Sequence, residues 1–395
     1  MNKNKKNGKD FKMVDVNDVR DINQTLLLHL IREQQPISRA EISKITGLRP
    51  GTISSIINRL IRKGVVYEGE EGPSSGGRKP KYLYINGESA YVLAVDVGVR
   101  ETVYAISDFN GRILKQKALM TEGEPKKFLK NLCKEIKQTI EKHYPKTKFD
   151  AIGVSVPGLI NRNTGEVAVS PNLEWNNTPI RKIFEDEFSL PVFVENDANA
   201  AAFSELWYGP LSDIKVKTLL YILVVDGLGT GLIINGNLHV GSEIGLGGFG
   251  HMCIEPGGEL CSCGRKGCWE TLASESATIA RYHRLMNNKN GSITTSIKDI
   301  ISMANKGDEK AVAAIEATAE YLGDGIANLA HGLSPEMIVI GGDLSSAWIY
   351  LEPIIKKKLK SEYIIPSISK IEVRPASVQR PSLFGAIPIA LQNFF

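Results

Sequence analysis

The sequence predicts an α/β body preceded by a small helix-turn-helix unit that ends in a β-hairpin, and three observations carry that prediction. From residue 91 onward, short apolar runs alternate with stretches of helical periodicity. Ahead of them, apolar residues recur at helical spacing until two short strands flank a Gly/Ser-rich loop. Finally, four of the five cysteines share the stretch His251 to Glu270, HMCIEPGGELCSCGRKGCWE, with a histidine.

The 395 residues give room for two or three domains and a sizeable core, and a hydrophobic fraction of 42% fits a globular protein. No apolar run approaches the roughly 20 residues of a membrane span, and the Lys-rich start lacks the apolar segment of a secretory signal. The expected setting is the cytoplasm, with no membrane partner and with thiols kept reduced and open to a metal. Net charge is +4 but uneven: residues 1 to 86 carry 16 Lys/Arg against 9 Asp/Glu, or +7, and the remaining 309 carry 32 against 35, or −3. A small basic segment ahead of a near-neutral bulk suits a nucleic-acid-binding module tethered to a sensing or enzymatic body. Five of those 16 cations fall in the first 12 residues, a run that also reads as a solvated arm.

In residues 1 to 86, Ile22, Leu26, Leu30 and Ile31 mark the apolar face of a first helix. Ser38 with Glu41 three residues on forms a capping box for a second, whose Ile42 and Ile45 are expected to face inward. Thr46-Gly47-Leu48 breaks it, and Pro50 suits the first turn of a third helix with Ile53, Ile56, Ile57 and Leu60 on one side. The opposite side offers Thr52, Ser54, Ser55, Asn58 and Arg59, donors and acceptors suited to base edges and phosphates of double-stranded DNA. Such a pattern also describes ordinary packed helices. Val65-Val66-Tyr67 and Tyr82 to Ile85 then read as paired strands around a loop containing Gly76, Gly77, Arg78 and Lys79. That loop reads either as a wing able to enter a minor groove or as a Gly/Ser linker.

In the body, Tyr91 to Val97 and Thr102 to Ile106 read as adjacent strands, followed by a strand from Arg112 to Ala118 and an amphipathic helix near Lys126 to His143. Ala151 to Val156, Pro191 to Glu195 and Leu219 to Val225 read as further strands, with a helix after Asn196. Asn235-Gly236 is a tight hairpin signal. A long Ala-rich helix around Asp308 to Leu333 and a strand from Met337 to Ile340 follow.

Within the Cys-rich stretch, His251, Cys261, Cys263 and Cys268 form a candidate metal knuckle, with glycines between them for tight reversals. Three thiolates and an imidazole suit tetrahedral Zn²⁺, and four protein ligands leave no position for a catalytic water, so the ion is expected to be structural. The other readings are reduced cysteines in a Gly-rich loop or a disulfide. Cys133 and Cys253 fall outside the pattern and are expected to be small packed residues.

The arrangement His251, Cys261-Ser-Cys263-Gly-Arg-Lys-Gly-Cys268-Trp-Glu270 resembles the signature of the ROK family, whose members are sugar kinases and sugar-responsive repressors. Val154-Ser-Val-Pro-Gly158, Pro171-Asn172-Leu173, Glu195-Asn196-Asp197-Ala-Asn199, Gly227-Leu-Gly229-Thr-Gly231 and Gly341-Gly-Asp343 extend the resemblance over nearly the whole body. The resemblance implies a two-lobed, actin-like ATPase fold with a sugar cleft: a first lobe over residues 87 to 200, a second over 201 to 395 containing the knuckle at 251 to 270, and a C-terminal helix around 382 to 395 packing back on the first. It carries sugar binding to Asn172, Asn196, Asp197, His251 and Glu270, with His251 also on zinc. By residue type alone, Asn196 and Asp197 also read as the cap of the following helix. Gly-Gly-Arg-x-Pro likewise resembles the wing of ROK repressors, whereas Arg49 departs from the usual Ser or Thr cap and is assigned to a phosphate or base.

Two departures bear on function. A ROK kinase has an Asp-x-Gly-Gly-Thr phosphate turn, but here Asp96-Val-Gly98 continues into Val99 and Arg100. Asp197 occupies the position of the kinase base. Three residues before the zinc histidine the family usually has a sugar-gripping Glu; this chain has Gly248. The expected function is therefore a sugar-responsive transcriptional regulator, a repressor without catalytic residues, acting as a homodimer or higher homo-oligomer on operator DNA. The alternatives are a sugar kinase that retains a DNA-binding head and a zinc-stabilised DNA-binding scaffold with a non-functional cleft.

Overall fold

The computed structural model describes residues 16–72, 79–210, 216–241, 248–286, 295–360, 368 and 370–391. Gly76, Gly77 and Arg78 of the expected wing, the basic arm and the last four residues of the expected C-terminal helix lie outside the described residues. The chain divides after Ile85 into two compact units.

The first unit runs α1 (Val16–Gln34), β1 (Ile37–Ser38), α2 (Arg39–Thr46), α3 (Pro50–Arg62), β2 (Val66–Glu71) and β3 (Lys81–Ile85), with the strands in antiparallel order β1-β3-β2. The capping box forms: Ser38 Oγ accepts from the Glu41 amide at 3.3 Å, and the Glu41 carboxylate accepts from the Ser38 amide at 2.8 Å. Gly47, at φ 72°, ends α2 in the left-handed region that glycine tolerates. Ile53, Ile56, Ile57 and Leu60 of α3 are buried, as are Leu27 and Ile31 of α1 and Ile42 of α2. Ile45 is not: helical spacing put it inward, but it is 42% exposed.

The second unit contains two five-stranded sheets. The first comprises β4 (Tyr91–Val97), β5 (Glu101–Asp108), β6 (Ile113–Met120), β7 (Ala151–Val156) and, after the small three-stranded sheet β8 (Leu159–Asn161), β9 (Glu166–Ser170) and β10 (Trp175–Thr178), β11 (Val192–Asn196). The helices α4 (Pro125–His143), α5 (Ile180–Phe188) and α6 (Asp197–Tyr208) belong to this half of the chain. The second sheet comprises β12 (Thr218–Val224), β13 (Leu228–Ile234), β14 (Asn237–His239), β15 (Met337–Gly341) and β16 (Glu372–Pro375). Between them lie α7 (Trp269–Ala273), α8 (Glu275–Leu285), α9 (Ile297–Asn305), α10 (Glu309–Leu333) and α11 (Trp348–Lys360), and α12 (Pro381–Ala390) closes the chain.

The sheets repeat one topology. In the order β6-β5-β4-β7-β11 the first three strands are an antiparallel meander and the last two run parallel to β4; β14-β13-β12-β15-β16 repeats this strand for strand. Each sheet has its own apolar core, one around Leu93, Val95, Leu132 and Phe184, the other around Ile222, Trp269, Leu322 and Ile340. α12 returns to the first sheet and packs on β7 and α6, where Gly385 meets the Ala200 carbonyl so closely that no side chain fits. The fully buried Glu205 of α6 accepts from the Ser377 amide at 2.7 Å and from Arg374 at 3.0 Å, pinning the chain beyond β16 to that helix. Among the described residues no helix is long and apolar enough to cross a membrane.

Candidate functional site

In the first unit, α3 presents Thr52, Ser55 and Asn58 as exposed residues and Ser54 as half-buried. Arg49 caps α3 through its backbone alone and leaves its side chain exposed. Arg59 is half-buried, and its guanidinium donates to the buried Gln24 of α1. Lys79 is exposed, 4.0 Å from Glu71. Arg39 has no place in the sequence-based list, yet it donates to both Asn58 and Glu68.

In the second unit, the β4–β5 turn, the β12–β13 turn and the knuckle open onto one cleft of about 670 Å³. All five residues assigned to a sugar by resemblance, Asn172, Asn196, Asp197, His251 and Glu270, line it. They are not equivalent. Asn196 caps α6, with Oδ1 accepting from the Ala198 and Asn199 amides at 3.0 and 3.2 Å and Nδ2 donating to the Gly158 carbonyl at 3.1 Å. Its structural role is therefore real, and it fixes where Asp197 stands. Asp197 accepts from Ala198 at 2.9 Å, and removal from bulk water pushes its pKa up to about 6. Ser262 donates to Asn172 Oδ1 at 3.1 Å.

Gly227 lies between Asn172 and Glu270: a Cβ there would stand 2.6 Å from Asn172 Nδ2 and 2.9 Å from Glu270 Oε2. Gly229 and Gly231 have a different reason, since side chains there would strike Ala198 and Ala202 on α6. These glycines thus seat β13 against the helix that carries Asp197. Among the described residues, nothing lies within 4 Å of a Cβ built on Gly248.

The other half of the cleft, beside the β4–β5 turn, is crossed by charge. Arg100 meets Asp226 of the β12–β13 turn at 2.6 Å, and Ser276 adds a bond to Asp226 at 3.3 Å. Lys298 pairs with Asp343 at 3.2 Å. Asp96 accepts from Ser155 at 2.5 Å, but desolvation dominates and pushes its pKa up to about 7; burial likewise raises Glu275 to about 8. Near neutral pH Asp96 and Glu275 are therefore held largely or partly protonated, while Asp226, Asp343 and Glu101 are paired with Arg100, Lys298 and Arg380, so the cation on the degenerate phosphate turn is already engaged. Asp226 and Glu275 had no local sequence signal, because their partners are 126 and 69 residues away.

The knuckle forms as a cluster: one ligand atom from each of His251, Cys261, Cys263 and Cys268 lies within 4.8 Å of the others. Cys263 Sγ and Cys268 Sγ are 3.7 Å apart, and Cys261 Sγ is 3.5 Å from His251 Nδ1. A tetrahedral ion with metal–sulfur bonds of about 2.3 Å separates its sulfurs by about 3.8 Å, so the donors fit such an ion. Glu270, in the first turn of α7, places Oε1 2.8 Å from Cys261 Sγ and 3.2 Å from His251 Nδ1, which joins the knuckle to the cleft wall. Cys133 is buried in the first core; Cys253, expected to be packed, is exposed.

A helix-turn-helix unit with a β-hairpin, followed by a two-lobed body with a polar cleft, defines a ligand-responsive DNA-binding regulator. The family model of the ROK family matches residues 92–393, and that of the MarR family matches residues 18–76. The chain belongs to the ROK family. It is 36% identical to a xylose repressor of Caldicellulosiruptor bescii over 95% of this chain and 96% of the relative, and 31% identical to that of Bacillus spizizenii over 97% and 98%. A crystal structure of a ROK family transcriptional regulator homologous to the E. coli MLC protein superposes with a TM-score of 0.77 at 27% identity, covering 95% of this chain and 96% of that one. A Streptomyces griseus ROK glucokinase in complex with glucose and AMPPNP superposes with a TM-score of 0.70 at 28% identity, covering 77% of this chain and all of that one.

Proposed function

We propose that this chain is a transcriptional repressor of carbohydrate-utilisation genes whose operator affinity changes when a sugar binds the interlobe cleft, and that it does not phosphorylate the sugar. The observation that carries this reading is the contrast within one cleft. Its sugar half keeps amides and carboxylates at fixed positions, whereas its phosphate half is bridged by Arg100 and Asp226 at 2.6 Å. A polyol is held by such fixed donors and acceptors, while a triphosphate must break the Arg100–Asp226 bridge and leave Asp226 as an unpaired carboxylate beside it. The named xylose repressors support a pentose as the first effector to test; the missing side chain at Gly248, where the family usually has Glu, also admits a substituted sugar.

His251, Cys261, Cys263 and Cys268 hold a structural Zn²⁺, which supplies rigidity to the loop bearing His251 and Glu270. Arg49, Thr52, Ser54, Ser55 and Asn58 face the DNA, with Gly77, Arg78 and Lys79 in the wing. Two copies of the chain on paired half-sites satisfy the geometry of a two-fold operator, in a cytoplasmic setting where the thiols remain reduced. Coupling requires that the sugar bind the DNA-competent and DNA-released states unequally.

Thermal-shift titration against monosaccharides and disaccharides, with and without Mg-ATP, tests the reading, because a ligand of the native state raises its apparent stability. A shift with sugar and none with Mg-ATP is expected. Stabilisation by Mg-ATP followed by phosphorylated sugar would establish the kinase instead.

A further inference from the structure

Arg39, the first residue of α2, reaches across to α3 and to the hairpin at once. Its Nη2 donates to Asn58 Oδ1 at 2.9 Å and to Glu68 Oε1 at 2.9 Å, and Glu68 also takes Lys81 Nζ at 3.2 Å. The capping box at Ser38 fixes the root of the arginine, and the ion pair with Glu68 of β2, itself held by Lys81 of β3, fixes its far end. A guanidinium carries only donors, so the Asn58 amide can meet it only through its oxygen. Asn58 is an exposed residue of α3, and its amino group is the end of the amide left for a partner. An unrestrained asparagine swings its amide and can offer either end, or both ends to one adenine; this one is fixed by a side chain outside the recognition helix.

We propose that Arg39 is a positioning residue that locks Asn58 with its amino group outward, so that α3 offers a donor at that position to a major-groove acceptor such as purine N7, guanine O6 or thymine O4. This rests on the reading of α3 as the recognition helix. The rival role for Arg39 is a direct phosphate contact, since the helix before a recognition helix crosses the DNA backbone.

A double-mutant cycle in the full-length protein separates the two. The probe is a duplex enriched from a random pool by the unmodified chain, and each variant is scored for Kd, base preference along the site, salt slope and melting temperature. Arg39→Ala is expected to lose about tenfold in affinity and to relax preference at the same base pair as Asn58→Ala. It should cost nothing further in the Asn58→Ala background and leave the salt slope unchanged. Arg39→Lys, also donor-only, should restore the preference in part. An equal loss in both backgrounds with a salt slope smaller by about one would make Arg39 a phosphate contact and overturn the proposal. A uniform loss at every base pair with a lowered melting temperature would overturn it in favour of a purely structural role. Unmodified binding by Asn58→Ala would also overturn it, and Thr52→Ala measured alongside then decides whether the helix reading falls too.

Discussion

Replacing Gly227 by alanine offers a clean perturbation of the cleft. The new methyl would stand 2.6 Å from Asn172 Nδ2 and 2.9 Å from Glu270 Oε2. Both atoms are ends of side chains and can swing aside, so the fold should tolerate the change. They can do so only by leaving the positions from which they face a sugar. Losing one neutral hydrogen bond and one to a carboxylate costs about 2–4 kcal/mol of ligand binding, a fall in sugar affinity of roughly 30-fold or more. The assay is displacement of fluorescent operator DNA by sugar, read as the half-effective sugar concentration, with melting temperature and zinc content measured in parallel. DNA affinity without sugar should match the unmodified protein. An unchanged half-effective concentration in a folded, zinc-replete variant would refute the placement of sugar between Asn172 and Glu270.

Other expectations concern the knuckle and the cleft acids. Cys263→Ser should lose the metal and loosen the sugar site, so stoichiometric zinc by elemental analysis in that variant would contradict the assigned ligands. Asp197→Asn should blunt the sugar response and leave DNA binding intact; an unaltered dose response argues against this cleft. Asp96 has its pKa raised from 3.8 to about 7 chiefly by desolvation, so the folded state binds its proton more tightly than the unfolded chain. Its stabilising contribution is complete below the unfolded value and is lost as pH rises through about 7. The advantage in melting temperature of Asp96→Asn over the unmodified protein should therefore grow from pH 5 to pH 8, and a constant difference would count against the shift.

Elements written in local chemistry were the legible ones. Ser38 and Glu41 announced α2 as a capping box, Pro50 began α3, and Asn235-Gly236 turned β13 into β14. The knuckle was legible because its ligands lie within 18 residues of one another, from His251 to Cys268. Faces were less so. Apolar spacing gave Ile45 an inward position that the short α2 does not bury, and residue type alone could not show that Arg59 bonds to Gln24. Gly229 and Gly231 lie within β13, where α6 presses so closely that a side chain would strike it, a reason that no local pattern shows. Pairings between distant segments leave no local pattern: Arg100 with Asp226, Glu205 with Arg374, and Arg39 with Asn58 follow only from the assembled fold. The internal repeat of the two sheets was equally hidden, since it preserves strand order rather than sequence.

The most direct test of the account is fluorescence anisotropy of the full-length protein on its selected operator duplex at fixed salt, titrated with xylose and then with the sugars that gave thermal shifts. A saturable change in operator affinity with one sugar is expected, unaffected by Mg-ATP and shifted to roughly 30-fold or more higher sugar in Gly227→Ala. A sugar that binds the cleft and leaves operator affinity unchanged would contradict it.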